Sequence, residues 1–97
     1  MDDKNKFIVD YYITEKSIKN DDYNIVDKSI FGIYSSTGSL DDNFDIFIKK
    51  KNFFKNRIPK KHDLAFFQKE KKFYEVDNSQ DAGDFYVVNI IKYKSKS

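Results

Sequence analysis

The chain has 97 residues, and its 18 Lys and Arg nearly balance its 16 Asp and Glu, which gives a formal net charge of +2. Hydrophobic residues make up 39% of it and aromatic residues 18%, a content that supplies bulk for a core and argues against a disordered chain. No cysteine is present, which excludes disulfide bonds and cysteine zinc sites.

Length and hydropathy indicate one globular domain over residues 1–97 of a cytoplasmic protein. No apolar run approaches membrane-spanning length, and the acidic N-terminus lacks the apolar segment of a signal peptide. The heavy use of Lys, Asn, Ile, Phe and Tyr, whose codons are AT-rich, indicates the genome of a low-GC bacterium, a phage or a plasmid. The expected compartment is therefore the cytoplasm of a bacterial host cell or of an infected cell.

The first part of the chain predicts two antiparallel strands joined by a polar loop. In residues 6–14, apolar and aromatic side chains recur at every second position, which is the period of a strand. Residues 23–36 have a similar composition and predict a longer second strand, with Gly32 at a bulge or a sharp bend inside it. The two strands are expected to form a hairpin.

Residues 39–56 are ambiguous, and they decide the fold class. As a helix, the segment places its large apolar residues on one stripe, with Ser39 as the N-cap, acidic residues in the first turns and lysines in the last. As a strand, residues 44–50 alternate between apolar and polar side chains. The helix is favoured and predicts an α+β fold, with a β-hairpin, a helix, a second β-hairpin and an antiparallel sheet. The alternative is a small OB-like or SH3-like β-barrel in which residues 44–50 form a strand.

The second half of the chain predicts further strands. Residues 64–76 fit either an interrupted strand or a short helical piece that runs into a strand from Lys72, and residues 77–84 fit a turn-rich connection. Residues 85–94 have apolar side chains at both odd and even positions, which is typical of a strand inside a sheet. Residues 94–97 are expected to form a frayed basic tail. The predicted core consists of Phe7, Val9, Ile13, Ile25, Phe31, Phe44, Phe47, Ile48, Val87, Val88 and Ile90.

Residues 49–73 combine basic and aromatic side chains. Ten basic residues and two acidic residues up to Lys72 give this stretch a charge of +8. Lysine and arginine neutralise phosphates and phenylalanine rings stack on bases, so the composition indicates a surface for nucleic acid or another partner. A basic solvent face over core phenylalanines fits the same composition. The predicted binding residues are Lys49, Lys50, Lys51, Lys55, Arg57, Lys60, Lys61, Lys69, Lys71 and Lys72, with Phe53 and Phe66 as stacking residues.

The sequence contains no recognisable catalytic or cofactor motif. His62 is the only histidine, so it cannot form a histidine metal site, and it is expected in a surface loop. The 3 glycines do not have the spacing of a phosphate-binding loop. No catalytic residue, metal or cofactor is therefore predicted, and the protein is expected not to be an enzyme.

The composition favours a small non-enzymatic protein-binding module. One version is an inhibitor, encoded by a phage or a mobile element, that binds a host protein such as a nucleic-acid enzyme or a defence complex. The alternative is a single-stranded nucleic-acid-binding protein that uses residues 49–73, and a metal-free small ribonuclease comes third. The low net charge favours a protein partner over nucleic acid or a nucleoprotein, no membrane contact is expected, and the oligomeric state stays open.

Overall fold

The computed structural model describes residues 5–94, which form antiparallel β-structure with a short 3-10 turn at Lys50–Asn52. The strands are β1 (Lys6–Lys16), β2 (Tyr23–Ser35), β3 (Asn43–Lys49), β4 (Leu64–Phe67), β5 (Lys72–Ala82) and β6 (Phe85–Lys92).

The strands form two three-stranded meanders, β1–β2–β3 and β4–β5–β6, that close into one barrel with the order β1-β2-β3-β6-β5-β4. β3 pairs with β6 along its whole length, and β4 pairs with residues Val9 to Tyr12 of β1, so two antiparallel joints hold the meanders together. Because strand direction alternates, residues 50–63, which link the meanders, lie at one end of the barrel, the connection end. The β2–β3 and β4–β5 turns lie at the opposite end, the turn end.

The predicted α+β fold is wrong, because residues 5–94 contain no α-helix and the expected helix is strand β3. Phe44, Ile46 and Ile48 point into the barrel, and the backbone of β3 pairs with β6 from Asn43 to Lys49. This long-range ladder outweighs the local helix signals, since tertiary context overrides propensity. Ser39 caps no helix and instead lies in the β2–β3 turn. The barrel alternative placed this segment in a strand, as the structure does.

Two further features differ from the prediction, and one agrees with it. β5 continues to Ala82, so the turn-rich connection shrinks to residues 83–84, where Gly83 has φ +70°. The irregularity in the first hairpin lies between Ile13 and Thr14 of β1, opposite Val26, and not at Gly32. β6 pairs with β3 and β5, which confirms its interior position. Most of the predicted frayed tail lies outside the described residues.

The barrel interior is filled by one inward-facing set of side chains from every strand. Seven of the predicted core residues are buried, namely Val9, Ile13, Phe31, Phe44, Ile48, Val88 and Ile90. Phe7 is half-buried and packs against the core, with its ring centroid 5.5 Å from that of the buried Phe67. Phe47 and Val87 are half-buried and outside the core, and Ile25 is exposed, so these three assignments are corrected. The core also contains residues that the sequence analysis left out, namely Tyr11, Ile33, Ile46, Phe53, Ala65, Phe67, Tyr74 and Val76.

The link between the meanders closes the connection end of the barrel with a phenylalanine. Phe53 follows the 3-10 turn, and its ring centroid lies 5.2 Å from that of Tyr11 and 5.5 Å from that of Tyr86, edge-on in both cases. It also lies 6.1 Å from the ring of Phe31. Because the ring is buried among β1, β2 and β6, it extends the core past the point where β3 ends.

A buried carboxylate fixes the same link to β1. Asp63 has no exposed surface, and its two oxygens accept hydrogen bonds from the Tyr11 hydroxyl at 2.8 Å, the Thr14 amide at 3.1 Å and the Lys60 amide at 3.1 Å. The Lys60 ammonium adds an ion pair at 2.8 Å. Burial, followed by the charge and the hydrogen bond of Asp63, raises the pKa of Tyr11 well above 10.0. The carboxylate is fully satisfied, so its role here is structural.

The first hairpin runs past its pairing with β4 and β3 as a two-stranded arm, residues 13–27, whose base at Ile13 and Thr14 is still buried. β4 pairs with β1 only as far as Tyr12, and β3 pairs with β2 only at Tyr34 and Ser35, so neither strand of the arm has a second β-strand beside it. The arm is anchored on its β1 side, where Arg57 pairs with Glu15 at 3.6 Å.

Candidate functional site

The predicted basic residues do not lie on one surface. The basic residues from Lys49, the last residue of β3, to Lys61 lie at the connection end, whereas Lys69, Lys71 and Lys72 lie around the β4–β5 turn at the turn end. Three of the ten pair with carboxylates of the same chain: Lys50 with Asp81, Arg57 with Glu15 and Lys60 with Asp63. Part of the basic charge of the second half is therefore neutralised inside the fold.

The two predicted stacking residues differ in their surroundings. Phe53 is buried in the core, which leaves its ring no free face. Phe66 lies on the outer surface of the barrel, with its ring centroid 4.5 Å from that of Phe73. Phe73 in turn neighbours Tyr12 at 6.4 Å and Tyr93 at 6.3 Å, and it is exposed. These four rings, from β1, β4, β5 and the residue after β6, form an outer aromatic cluster that the sequence analysis did not predict.

The lysines after β3 border a shallow apolar surface on the outside of the barrel. Lys49, Lys50 and Lys51 line one depression together with Asp84 and Phe85. Phe85 continues into a second depression, lined by Tyr34, Phe47, Ala82, Phe85 and Val87. The Lys50 ammonium lies 5.4 Å from the ring centroid of Tyr86 as well as beside Asp81, so this lysine is already engaged within the chain.

His62 supports the arm and is not an isolated loop residue. Its Nδ1 lies 2.8 Å from Glu75 Oε2, and its ring stacks on Tyr23 with the centroids 3.9 Å apart. Its carbonyl oxygen accepts a hydrogen bond from the Thr14 hydroxyl at 2.9 Å. These contacts join the link to both strands of the arm, so the arm has a fixed position on the barrel.

The arm exposes apolar side chains that a solitary small protein would be expected to bury. Ile18 is fully exposed in the loop, and Ile25 is 55% exposed. Val26 and Tyr23 are also exposed. The alternation of apolar residues in the sequence predicts Ile25 in the core. In the structure Ile25 lies beyond the barrel, past the irregularity opposite Val26, so no core surrounds it. Several exposed apolar side chains on one short hairpin are typical of an interaction surface.

β2 also has an open backbone edge between the arm and its short pairing with β3. The Lys28 amide donates to the Asp27 carboxylate at 2.8 Å, and Tyr34 pairs with Phe47 of β3, so the backbone groups of both residues point away from β1. Since alternate residues of an antiparallel strand point to the same side, Ile30 and Gly32 share this direction. Lys28, Ile30 and Gly32 form the open edge, which has no paired strand among residues 5–94.

Comparison of the chain with protein-family models, with curated proteins and with solved structures found no match. Residues 5–94 contain no helix with the length and hydropathy to cross a membrane. Within the same range, no group of three or more His, Cys, Asp or Glu side chains is arranged as a metal site. The function is therefore argued from the geometry of the surface.

Proposed function

We propose that the protein is a non-enzymatic protein-binding module that contacts its partner through the arm. The observation that carries this proposal is the exposure of Ile18, Ile25 and Val26 on an arm held in place by the link. A preorganised apolar surface loses little conformational entropy on binding, which favours association.

The charge of the arm favours a protein over nucleic acid as its partner. Residues 13–27 hold two lysines and four acidic residues, so the arm carries a charge of −2. A phosphate backbone requires a positive surface, and an acidic arm repels it. The narrower version, an inhibitor of a host protein encoded by a phage or mobile element, rests on the composition of the sequence alone.

Affinity capture from a lysate of a low-GC bacterium tests this proposal with three forms of the chain. The parent and an Ile58→Ser variant are expected to retain the same protein, because Ile58 is an exposed isoleucine in the link and not in the arm. An Ile18→Ser, Ile25→Ser double variant is expected to lose at least about tenfold in affinity for that protein, corresponding to about 1.4 kcal/mol. Equal retention by all three forms would contradict a role for the arm.

The outer aromatic cluster favours single-stranded nucleic acid as a second candidate ligand. Phe66, Phe73 and Tyr93 offer rings for base stacking, and the Lys28 ammonium lies 5.6 Å from the ring centroid of Tyr12. Labelled single-stranded DNA and RNA, titrated at two salt concentrations, test it. This candidate predicts affinity that falls steeply with salt and falls again in Phe73→Ala, whereas a dedicated protein-binding module shows neither effect.

A further inference from the structure

We infer that the open edge of β2 pairs with the same edge of a second copy of this chain, which forms a dimer with a sheet that continues across it. This inference uses Lys28, Ile30 and Gly32 and is separate from the proposed role of the arm. An open strand edge tends to pair with the same edge of another copy, and proteins that avoid this pairing place charges or proline there. The open edge here has an isoleucine at its centre, which is 56% exposed.

The spacing of the open edge suits a twofold axis. The three residues with outward backbone groups are two positions apart, so an antiparallel copy centred on Ile30 places Ile30 against Ile30 and Lys28 against Gly32. Each such pair exchanges both of its backbone hydrogen bonds, which gives about six new bonds across the axis. No other register centred within this segment uses all three residues.

The side chains fit the same register. The two Ile30 side chains meet at the axis, where they remove exposed apolar surface from water. Each Lys28 lies opposite Gly32, where the flexible end of the Lys6 side chain covers the glycine and must move aside. The two lysines are four residues apart along the strand, about 13 Å, which exceeds the Debye length of about 8 Å at physiological ionic strength. A register centred on Lys28 would instead place two ammonium groups directly opposite each other, which is destabilising.

The carboxylate of Asp27 competes with this pairing. In the single chain it accepts the Lys28 amide hydrogen bond at 2.8 Å and so occupies one donor of the open edge. A second copy must replace this bond with one from its own Gly32 carbonyl. Replacing Asp27 by Ala frees the donor, so Asp27→Ala is expected to strengthen the dimer.

Sedimentation velocity across about a hundredfold range of protein concentration tests the dimer. The parent is expected to shift from the monomer mass of 11.6 kDa toward twice that mass. Ile30→Pro removes an outward amide without touching the β1–β2 ladder and is expected to stay monomeric, whereas Ile30→Thr keeps the amide and the strand propensity and is expected to dimerise. A parent that remains at the monomer mass, or a dimer that persists in Ile30→Pro with native circular dichroism, overturns the inference.

A single cysteine locates the axis, because the natural chain contains none. Directly opposed residues of a hydrogen-bonded pair have Cα atoms about 5.5 Å apart, within the range of about 4.4–6.8 Å that a disulfide spans. Ile30→Cys is expected to form a disulfide-linked dimer under mild oxidation, and the exposed control Ile58→Cys is expected to remain a monomer. Equal cross-linking of the two variants contradicts the twofold pairing. The Ile18→Ser, Ile25→Ser variant is expected to dimerise normally, so a failed dimer and a failed arm interaction are distinguished.

Discussion

The two long hairpins of the barrel, β1–β2 and β5–β6, differ in what they expose where they extend past their neighbours. β5 pairs with β4 only up to Glu75, so residues 77–82 have no β-strand on that side, just as the arm has none beside β2. The exposed end of β5 carries only polar and charged side chains from Asp77 to Asp81, whereas the corresponding part of β2 carries Ile25, Val26 and Ile30 around the charged pair Asp27 and Lys28.

The polar end of β5 is also tied to the rest of the chain. The Ser79 hydroxyl donates to the Pro59 carbonyl at 2.6 Å, and Asp81 pairs with Lys50. Charges and side-chain hydrogen bonds of this kind discourage the addition of another strand. β2 has a similar contact only between Lys28 and Asp27, and exposed aliphatic residues flank it, so we expect β2 rather than β5 to be the contact edge.

The largest effect is expected from a pair of isoleucines on β2 itself. Ile33 is fully buried in the barrel, and Ile25 is 55% exposed on the arm. Ile33→Ala should lower the free energy of unfolding by about 2–5 kcal/mol, because it removes buried methyl groups and leaves a cavity. Ile25→Ala should change it by less than about 0.5 kcal/mol. Urea unfolding of both variants measures the difference, and a similar loss in both would show that the arm is packed rather than exposed.

A pair of aspartates makes a similar comparison: Asp63 fixes the link to β1, and Asp81 lies beside the turn of the β5–β6 hairpin. Asp63→Ala removes the acceptor of three buried or half-buried donors and should cost about 2–4 kcal/mol. Asp81→Ala removes only the surface pair with Lys50 and should cost less than about 1 kcal/mol. Thermal unfolding monitored by circular dichroism checks both values. If Asp81→Ala were the more costly variant, β5 and not the link would hold the connection end.

Alkaline pH should destabilise the protein through Tyr11. Its pKa is raised above 10.0 in the folded chain, by burial first and by Asp63 second, so the folded state holds the phenolic proton more tightly than the unfolded state. The resulting stability is complete below pH about 10 and is lost as the pH rises from there toward the folded pKa, at up to about 1.4 kcal/mol per pH unit. Tyr11→Phe should flatten this decline in urea unfolding measured along a pH series, and an unchanged slope would exclude Tyr11 as its source.

The smallest effect is expected from making β5 resemble β2. Asn78→Ile with Gln80→Ile replaces exposed polar residues by aliphatic ones on the outer face of β5. The double variant should raise the association constant of the chain with itself severalfold, a change in association free energy of less than about 1.4 kcal/mol. Asn78→Thr with Gln80→Thr keeps strand propensity and polarity and should leave association unchanged. Sedimentation velocity compares the two, and no difference between them would mean that side-chain character does not decide which edge associates.

The sequence predicted the strands whose signal is local and missed what depends on strand order. The period of residues 6–14 and the apolar run of residues 85–94 were enough to place β1 and β6. The acidic and basic ends of residues 39–56 suggest a helix, and only the pairing of β3 with β6 overrides them. Single-sequence patterns contain no information about a strand about forty residues away, so the pairing of β3 with β6 could not be predicted.

The candidate site was hidden for the same reason. The sequence around Ile25 predicts a core residue, because it contains no sign that β3 and β4 stop pairing before the arm. The basic residues are close together in the sequence, which suggested a single surface. In the structure β4 places Lys69 and its neighbours at the opposite end of the barrel. The burial of Asp63 had no sequence signal either, since its partners Tyr11 and Thr14 lie on a different meander.

Amide hydrogen exchange of the unmodified chain, followed residue by residue by NMR at low and at high protein concentration, tests most directly whether β2 is the contact edge. The amides of Ile30 and Gly32 should exchange fast when dilute and become protected when concentrated, because a second copy covers them. Those of Ser29 and Phe31 point toward β1 and should be slow at both concentrations. Protection that appears instead at residues 77–82 of β5, or none at Ile30 and Gly32, would contradict the account.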